Sequence, residues 1–426
     1  MRLHLPAVLA AAVGAPLMAL ANNGFNLIGF GTESIAMGGA DTAVARDTSA
    51  LNTNPAGLGQ LSRPAFDGYA GAAFLLDTGH VDGLGNNRRV DNKVIPVAGF
   101  GASRPFAQGN VVAAIGLFAQ GGSGAVYKDL QTPFGSRDEL SALVGFVRIT
   151  PGFAWKASER LTIGVAAPLN VVLAKQKLFP ATSIFNPTDP AQTFFGIKLD
   201  GARGVRLGLR LGAQWKPSDA LTLGAAFQPK TTLEAKHGKA DVNMSAIGLG
   251  TVRYRDARID GFALPREVSV GAAWQATAST LFAVKVSHLA WSAAIRTLTV
   301  SLSDPVDLSA PPVLTQTSRL DWHDQTVFAL GASHRLAESM TLYAGFNYAR
   351  SPVRRETMTP LLALISERHF TGGLAIKMTG GWAAVGALEY VPHTRFAYDN
   401  SNFPLGQGAK ERLSYVATNL MISRRW

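Results

Sequence analysis

The sequence predicts an all-β chain: a transmembrane antiparallel β-barrel of about fourteen strands, with an N-terminal hatch inside its lumen. Three observations predict it. An apolar leader ends in a small-residue cleavage site. No later run is long and apolar enough for a spanning helix. A hairpin pattern opening on glycine recurs along the chain, with long loops between its copies. Composition agrees: of 426 residues 16% are charged, 44 are glycine and none is cysteine. Without cysteine there is no disulfide, thiol nucleophile or cysteine–zinc site. The net charge of +11 is not gathered into runs. It points to an anionic lipid or ligand and away from nucleic acid.

The elements follow in order. Arg2 precedes the apolar stretch Leu5 to Leu20, and Ala19-Leu20-Ala21 is an A-x-A site. Residues 1–21 therefore read as a signal peptide, with Asn22 as the mature start. A membrane anchor is the alternative, disfavoured by the short stretch and its small-residue end. Residues 22–64 are rich in small residues and lack a strand period. They read as a periplasmic tail or a compact plug. Low charge and apolar Phe25, Leu27, Ile28 and Phe30 favour the plug, a hatch.

Residues 65–426 carry the barrel pattern. Copies start at Gly101, Gly152, Gly212, Gly331 and Gly373, and a copy one residue longer starts at Gly271. Each passes through a short polar turn and resumes an alternating run, which is a hairpin. Six hairpins, a leading strand near 65–76 and a final one near 412–426 make fourteen strands. Short turns would face the periplasm and long loops the exterior. A soluble sandwich or propeller is the rival, since its strands also alternate.

The stretch GVRLGLRLGAQW, from Gly204 to Trp215, shows the two faces. Val205, Leu207, Leu209, Leu211, Ala213 and Trp215 would meet lipid, and Arg206, Gly208, Arg210, Gly212 and Gln214 the lumen. A strand of this length, tilted about 40°, crosses about 25–30 Å. Trp155, Trp215 and Trp274 sit at hairpin ends, as an interfacial girdle requires. The same register turns Arg148 and Lys285 inward, with Val144 and Phe146 beside Arg148. That is a greasy lumen with isolated cations. Each cation needs a carboxylate such as Glu267, water, or a ligand head group. A fatty-acid carboxylate would bind such a group by charge-assisted hydrogen bonds. Arg148, Arg206, Arg210 and Lys285 are the candidates, alongside internal salt bridges.

Two long loops carry large apolar residues: Phe179, Ile184, Phe185, Phe194 and Phe195 in one, and Met244, Ile247 and Leu249 in the other. Burying each is worth about 1.5–3 kcal/mol, so the loops should fold on each other or on a ligand.

The leader Gly24-Phe25-Asn26-Leu27, the later Asn54-Pro55-Ala56, and "LPREVSVGAAW", "HLAWSAA" and "TLYAGFNYARSPV" together resemble the FadL/TodX family of outer-membrane transporters of long-chain fatty acids and aromatic hydrocarbons. The resemblance implies a fourteen-stranded barrel with a hatch. It implies ligand capture by the outer loops, an internal pocket, and exit through an opening in the wall. It places Asn54, Pro55 and Ala56 in the hatch near that opening and Phe25 at the pocket. It implies an inward kink in the third strand, here near Gly116. It also implies a last strand ending on an aromatic residue with another two places before. Trp426 meets the first condition and Arg424 departs from the second.

The function expected is passive uptake of hydrophobic molecules across a bacterial outer membrane. Fatty acids and aromatic hydrocarbons remain equal alternatives. An adhesive or structural barrel and a general porin are the rivals. No G-x-S-x-G, H-E-x-x-H or phosphate-loop motif occurs, so neither an enzyme nor a cofactor nor a metal is expected. Expected partners are the hydrophobic ligand, outer-membrane lipid and lipopolysaccharide, and the barrel-assembly machinery, with the barrel a monomer.

Overall fold

The computed structural model describes residues 23–189 and 192–426. The expected signal peptide lies outside the described residues. From Ala65 the chain forms a closed antiparallel barrel of fourteen strands. Its first strand, Ala65–Leu75, pairs with the second, Val94–Phe106, and also with the last, Ala409–Arg425. The third is Val111–Gln131 and the fourth Arg137–Lys156. The fifth to tenth each come in two segments. These are Leu161–Ala166 with Leu169–Ile184, and Phe194–Leu207 with Arg210–Ser218. Next come Leu221–Gln228 with Thr231–Asn243, and Thr251–Leu264 with Glu267–Gln275. Thr280–Leu289 with Thr297–Pro305, and Val313–Arg319 with Gln325–Ala337, complete the six. The eleventh to thirteenth are Met340–Ala349, Arg368–Lys377 and Trp382–Tyr398. Three of the breaks fall at Pro168, Pro229 and Pro265, residues that cannot donate to a ladder.

The six glycine-started hairpins are the six short turns of the barrel. Outward faces are apolar: Val205, Leu207, Leu211 and Trp215 are exposed, and so are Trp155, Trp274, Trp382 and Trp426 near strand ends on the short-turn side. Arg424 breaks the aromatic repeat in the last strand for a visible reason. Its guanidinium lies over the rings of Trp382, 5.2 Å, and Trp426, 5.7 Å. It joins the girdle by cation–π contact.

Residues 23–64 fill the lumen. They form a short helix, Thr32–Ala36, and two 3-10 turns, Thr48–Asn52 and Pro55–Gln60, and nearly all are buried. The hatch reaches the wall because the wall has no side chains where they meet. A Cβ on Gly101 would lie 2.4 Å from Thr48 Oγ1, and one on Gly152 would lie 2.7 Å from Leu51 Cδ2. On Gly212 it would lie 2.0 Å from Asn54 Oδ1, on Gly331 2.7 Å from the Met37 carbonyl, and on Gly373 2.7 Å from Ala36 Cβ. Gly271 faces Thr42 at 3.1 Å. The glycine that opens each sequence repeat is thus the wall's seat for the hatch.

Overfilling this seat costs about 1–3 kcal/mol per site. Gly212→Val should unseat the hatch while the barrel stays folded. Planar-bilayer recording is expected to show increased ion conductance, and an unchanged trace would contradict the seating.

Candidate functional site

The wall is incomplete between its second and third strands, beside the hatch. The second strand pairs with the third only from Gly99 opposite Phe118 to Phe106 opposite Val111. Beyond that, Val94–Ala98 stays with the first strand, and the third strand, bulged between Ala119 and Gly121, stays with the fourth. A window opens between the two edges. The loop before the second strand closes its outer end: the Asp91 amide donates to the Val126 carbonyl, 2.8 Å, and the Val126 amide to Asn92 Oδ1, 2.9 Å.

The kink therefore lies at Gln120–Gly121, and Gly116 sits in a regular ladder opposite Gly101 and Thr150. Gly121 has φ +148°, and a Cβ there would lie 1.8 Å from the Phe25 carbonyl. Only glycine lets the N-terminal segment come so close. The segment takes over partners of the kinked strand: the Leu27 amide donates to the Gln120 carbonyl, 3.4 Å, and Gln120 Nε2 to Asn26 Oδ1, 3.0 Å. Leu27 and Ile28 continue into a small cavity lined by Ala72, Ala73 and by Val97 of the window edge.

Phe25 is fully buried in an aromatic box. Its ring centroid lies 4.8 Å from Trp322, 5.2 Å from Phe146, 5.9 Å from Trp291 and 6.2 Å from Phe262. Sequence reasoning missed Trp291 and Trp322 as box members. Their signal was position: both stand at strand breaks, away from the hairpin-end tryptophans. On the loop side a cavity of about 360 Å³ is lined by apolar residues such as Val144, Phe262, Leu298 and Phe403 and by polar ones such as Lys175, Gln316, Arg319 and Asn400. An apolar cavity of about 150 Å³ already holds benzene.

The inward cations are partnered. Arg210 donates to the Thr53 carbonyl, 2.7 Å, and to Glu267, 2.6 Å. Lys285 donates to Asp41 of the hatch, 2.8 Å, and Asp41 accepts from Ser34, 2.5 Å. Arg148 donates to Asn170, 2.7 Å, and to Gln228, 2.9 Å. The cavity shared by Arg210, Glu267 and Lys285 is about 30 Å³, room for one water and not for a fatty-acid chain. Arg210 and Lys285 brace hatch and wall, whereas Arg148 ties strands of the wall to one another and keeps one buried Nη1 without a hydrogen-bond partner among the described residues. Arg206 departs from the expected inward setting: it is exposed, in a crevice with outward-facing Val205, Thr232 and Glu234. The reason is a missing stretch of ladder between the sixth and seventh strands, which frees the side chain from the strand's alternation.

Asn54-Pro55-Ala56 belongs to the hatch, but its closest wall neighbours are the fifth and sixth strands rather than the window. Asn54 Nδ2 donates to the Ala213 carbonyl, 3.0 Å, and to that of Thr42, 2.7 Å. A Cβ on Gly164 would lie 2.3 Å from the Ala56 nitrogen. The window's inner rim is Phe25 to Ile28 instead.

The two apolar loops fold on each other. The Ala246 amide donates to Ser183, 3.1 Å, and Asn243 to the Pro180 carbonyl, 3.3 Å. Phe179 and Met244 are buried, Phe194, Phe195 and Leu249 partly so, while Ile184, Phe185 and Ile247 remain exposed. Phe194 stacks on Phe134, centroids 4.7 Å apart.

With this geometry in hand, comparisons with known proteins give one family. The model of the outer membrane protein transport proteins (OMPP1/FadL/TodX) matches residues 15–371. The chain belongs to this family. Family membership makes it an outer-membrane β-barrel. Among solved structures it is similar to the toluene transporter TodX of Pseudomonas putida. Identity is 19% over 95% of this chain and 100% of that one, with TM-score 0.77. The toluene transporter TbuX of Ralstonia pickettii is 20% identical over 94% and 100%, TM-score 0.74. A Pseudomonas aeruginosa FadL homologue is 13% identical over 94% and 99%, TM-score 0.69. These structures share the family's barrel fold. No curated sequence relative matches.

Outside the membrane, loop residue His80 holds the third strand's outer arm to the last hairpin. Its ring nitrogens lie 2.6 Å from Glu411 and 3.1 Å from Asp82, and Tyr127 and Tyr398 both donate to Glu411. Burial opposes a charged ring, but the hydrogen bonds and charges of Asp82 and Glu411 outweigh it and raise its pKa to about 9. The raised value means the latch stabilises fully below the unfolded value of about 6.5 and is lost as pH rises through about 9. The difference in melting temperature between wild type and His80→Gln should be larger near neutral pH, where ring and carboxylates are charged, than above about pH 9, where the ring is neutral. A difference independent of pH would contradict the latch.

Proposed function

We propose that the protein takes up hydrophobic molecules by facilitated diffusion. Cargo collects on the outer loops, enters the cavity beneath them, passes the aromatic box at Phe25, and leaves sideways through the window into the bilayer. The observation that carries this reading is the conjunction of window and stopper. From the lumen side Phe25–Ile28 backs the unpaired wall edges, and Phe25 of the same segment packs on Phe262 of the cavity lining.

Several features support the reading. The family consists of outer-membrane transport proteins. The neighbours TodX and TbuX are toluene transporters, and a monoaromatic ring fits the 360 Å³ cavity. Long-chain fatty acids remain the alternative cargo; exposed Lys175 at that cavity could meet a carboxylate. Asn54, Pro55 and Ala56 anchor the hatch. Ile184, Phe185 and Ile247 offer the first apolar landing surface. Arg148, Arg210 and Lys285 hold the lumen together rather than receive cargo. The path needs no chemical step, and ring closure by a single chain supports a monomer.

Toluene and oleate titrations test the path. Trp291 and Trp322 flank Phe25, so ligand at the box should change tryptophan fluorescence in wild type and not in the Trp291→Phe/Trp322→Phe variant. Phe25→Ala should weaken the segment by about 3–5 kcal/mol of lost packing and alter uptake with assembly intact. Uptake in cells lacking the protein equal to that of cells carrying it would refute the function, leaving the adhesive reading.

A further inference from the structure

The wall has a second interruption, away from the window. No ladder pair joins Gly204–Arg210 of the sixth strand to Gln228–Ala235 of the seventh; pairing resumes at Arg203 opposite Lys236 and at Leu211 opposite Phe227. A crevice of about 380 Å³ opens there, lined by Arg203, Arg206, Thr232, Glu234, Lys236 and His237. Two features set it apart from a solvated strand face. Arg203 and Lys236 are direct cross-strand neighbours, and like charges so placed repel. His237 is left-handed, φ +59°, in a bulged stretch where the pairing with the eighth strand shifts register. The bulge lets consecutive Lys236 and His237 line one crevice, where a regular strand would send them to opposite faces.

Only one carboxylate, Glu234, lies in the lining, and it pairs with Lys236. Arg203 and Arg206 make no ion pair within 4 Å among the described residues, although the charge of Arg206 is also felt by Glu234. Immediately toward the membrane stand Val205 and Leu207, 60% and 65% exposed. Above the site, at Lys239, Asp241 and Arg253, the strands carry charge on their exposed face. The crevice therefore sits where apolar wall gives way to polar wall, on the loop side of the barrel.

We propose that this crevice binds a phosphorylated glycolipid of the outer leaflet, its phosphate between Arg203, Arg206 and Lys236 and its acyl chains along Val205 and Leu207. A guanidinium pair matches a phosphate by forked, charge-assisted hydrogen bonds. Basic clusters beside apolar membrane surface recognise anionic lipid head groups. An amphipathic anion satisfies both halves of the site. A free phosphate uses only one.

The test is native mass spectrometry of the full-length barrel in non-ionic detergent with added bis-phosphorylated lipid A. The wild type should retain lipid A, and Arg203→Ala/Arg206→Ala should retain at least about tenfold less, the loss of one charge-assisted contact or more. Arg203→Lys/Arg206→Lys should keep an intermediate share, and exposed Arg368→Ala should behave as wild type. Hydrocarbon uptake should be unchanged in all, which separates this site from the transport path. Dephosphorylated lipid A should bind poorly, and inorganic phosphate at equal concentration should not displace the lipid. Equal retention by wild type and Arg203→Ala/Arg206→Ala overturns the proposal, as does equal loss in Arg368→Ala. Displacement by phosphate alone reduces the site to an anion crevice and overturns the lipid assignment.

Discussion

The close approach of hatch and wall governs the rest of this structure. A plug inside a barrel must be held without shutting the route past it. Here the wall gives up its side chains at the level of contact. Glycines on many strands let hatch backbone and short side chains touch the sheet directly. The seat is tight around most of the circumference, and at the kinked third strand it coincides with a break in the wall's ladder. There Gly121 admits the Phe25 carbonyl, and the ladder to the second strand is absent. A firmly seated hatch and a side window are thus two outcomes of one packing arrangement.

Charge completes the seating. An unpaired buried ion is costly, and breaking one half of a buried pair costs about 3–5 kcal/mol. Arg210 and Lys285 reach from the wall to Thr53 and Asp41 of the hatch. Asp67 of the first strand accepts from the Thr48 amide, from Ser423 and from Arg425, which ties the hatch to the seam where the barrel closes. The polar locks lie on the hatch side of the lumen, the box around Phe25 is aromatic, and the outer cavity mixes apolar groups with polar ones such as Gln316 and Asn400. Cargo without charge would have no reason to disturb the locks.

Much of this was legible in the sequence. Alternation and the spacing of glycine-started turns placed the hairpins, because a closed sheet in lipid enforces both. That a buried cation would need a carboxylate such as Glu267 followed from burial; that Arg210 is the one it meets did not. Other features were not legible, for physical reasons. Alternation assigns a face only while a strand is paired on both sides, so Arg206 escaped it where the ladder lapses. The kink at Gly121 could not be separated from the many other glycines, since its cause is a carbonyl almost a hundred residues away in the chain. The repeat glycines were read as hairpin markers; their part as a seat needed the third dimension. Trp291 and Trp322 stand apart from the hairpin-end tryptophans in the sequence, but their meeting around Phe25 depends on strands brought together by closure.

On the proposed path cargo leaves through the wall while the hatch stays seated. The chain has no cysteine, so a single engineered disulfide can test it cleanly. Ala36 Cβ lies 2.7 Å from the position a Cβ would take on Gly373, within reach of a bridge after slight adjustment. In an Ala36→Cys/Gly373→Cys barrel, hydrocarbon uptake should be the same before and after oxidation. Uptake that collapses on oxidation and returns on reduction would mean that the hatch must leave its seat, and would contradict the account.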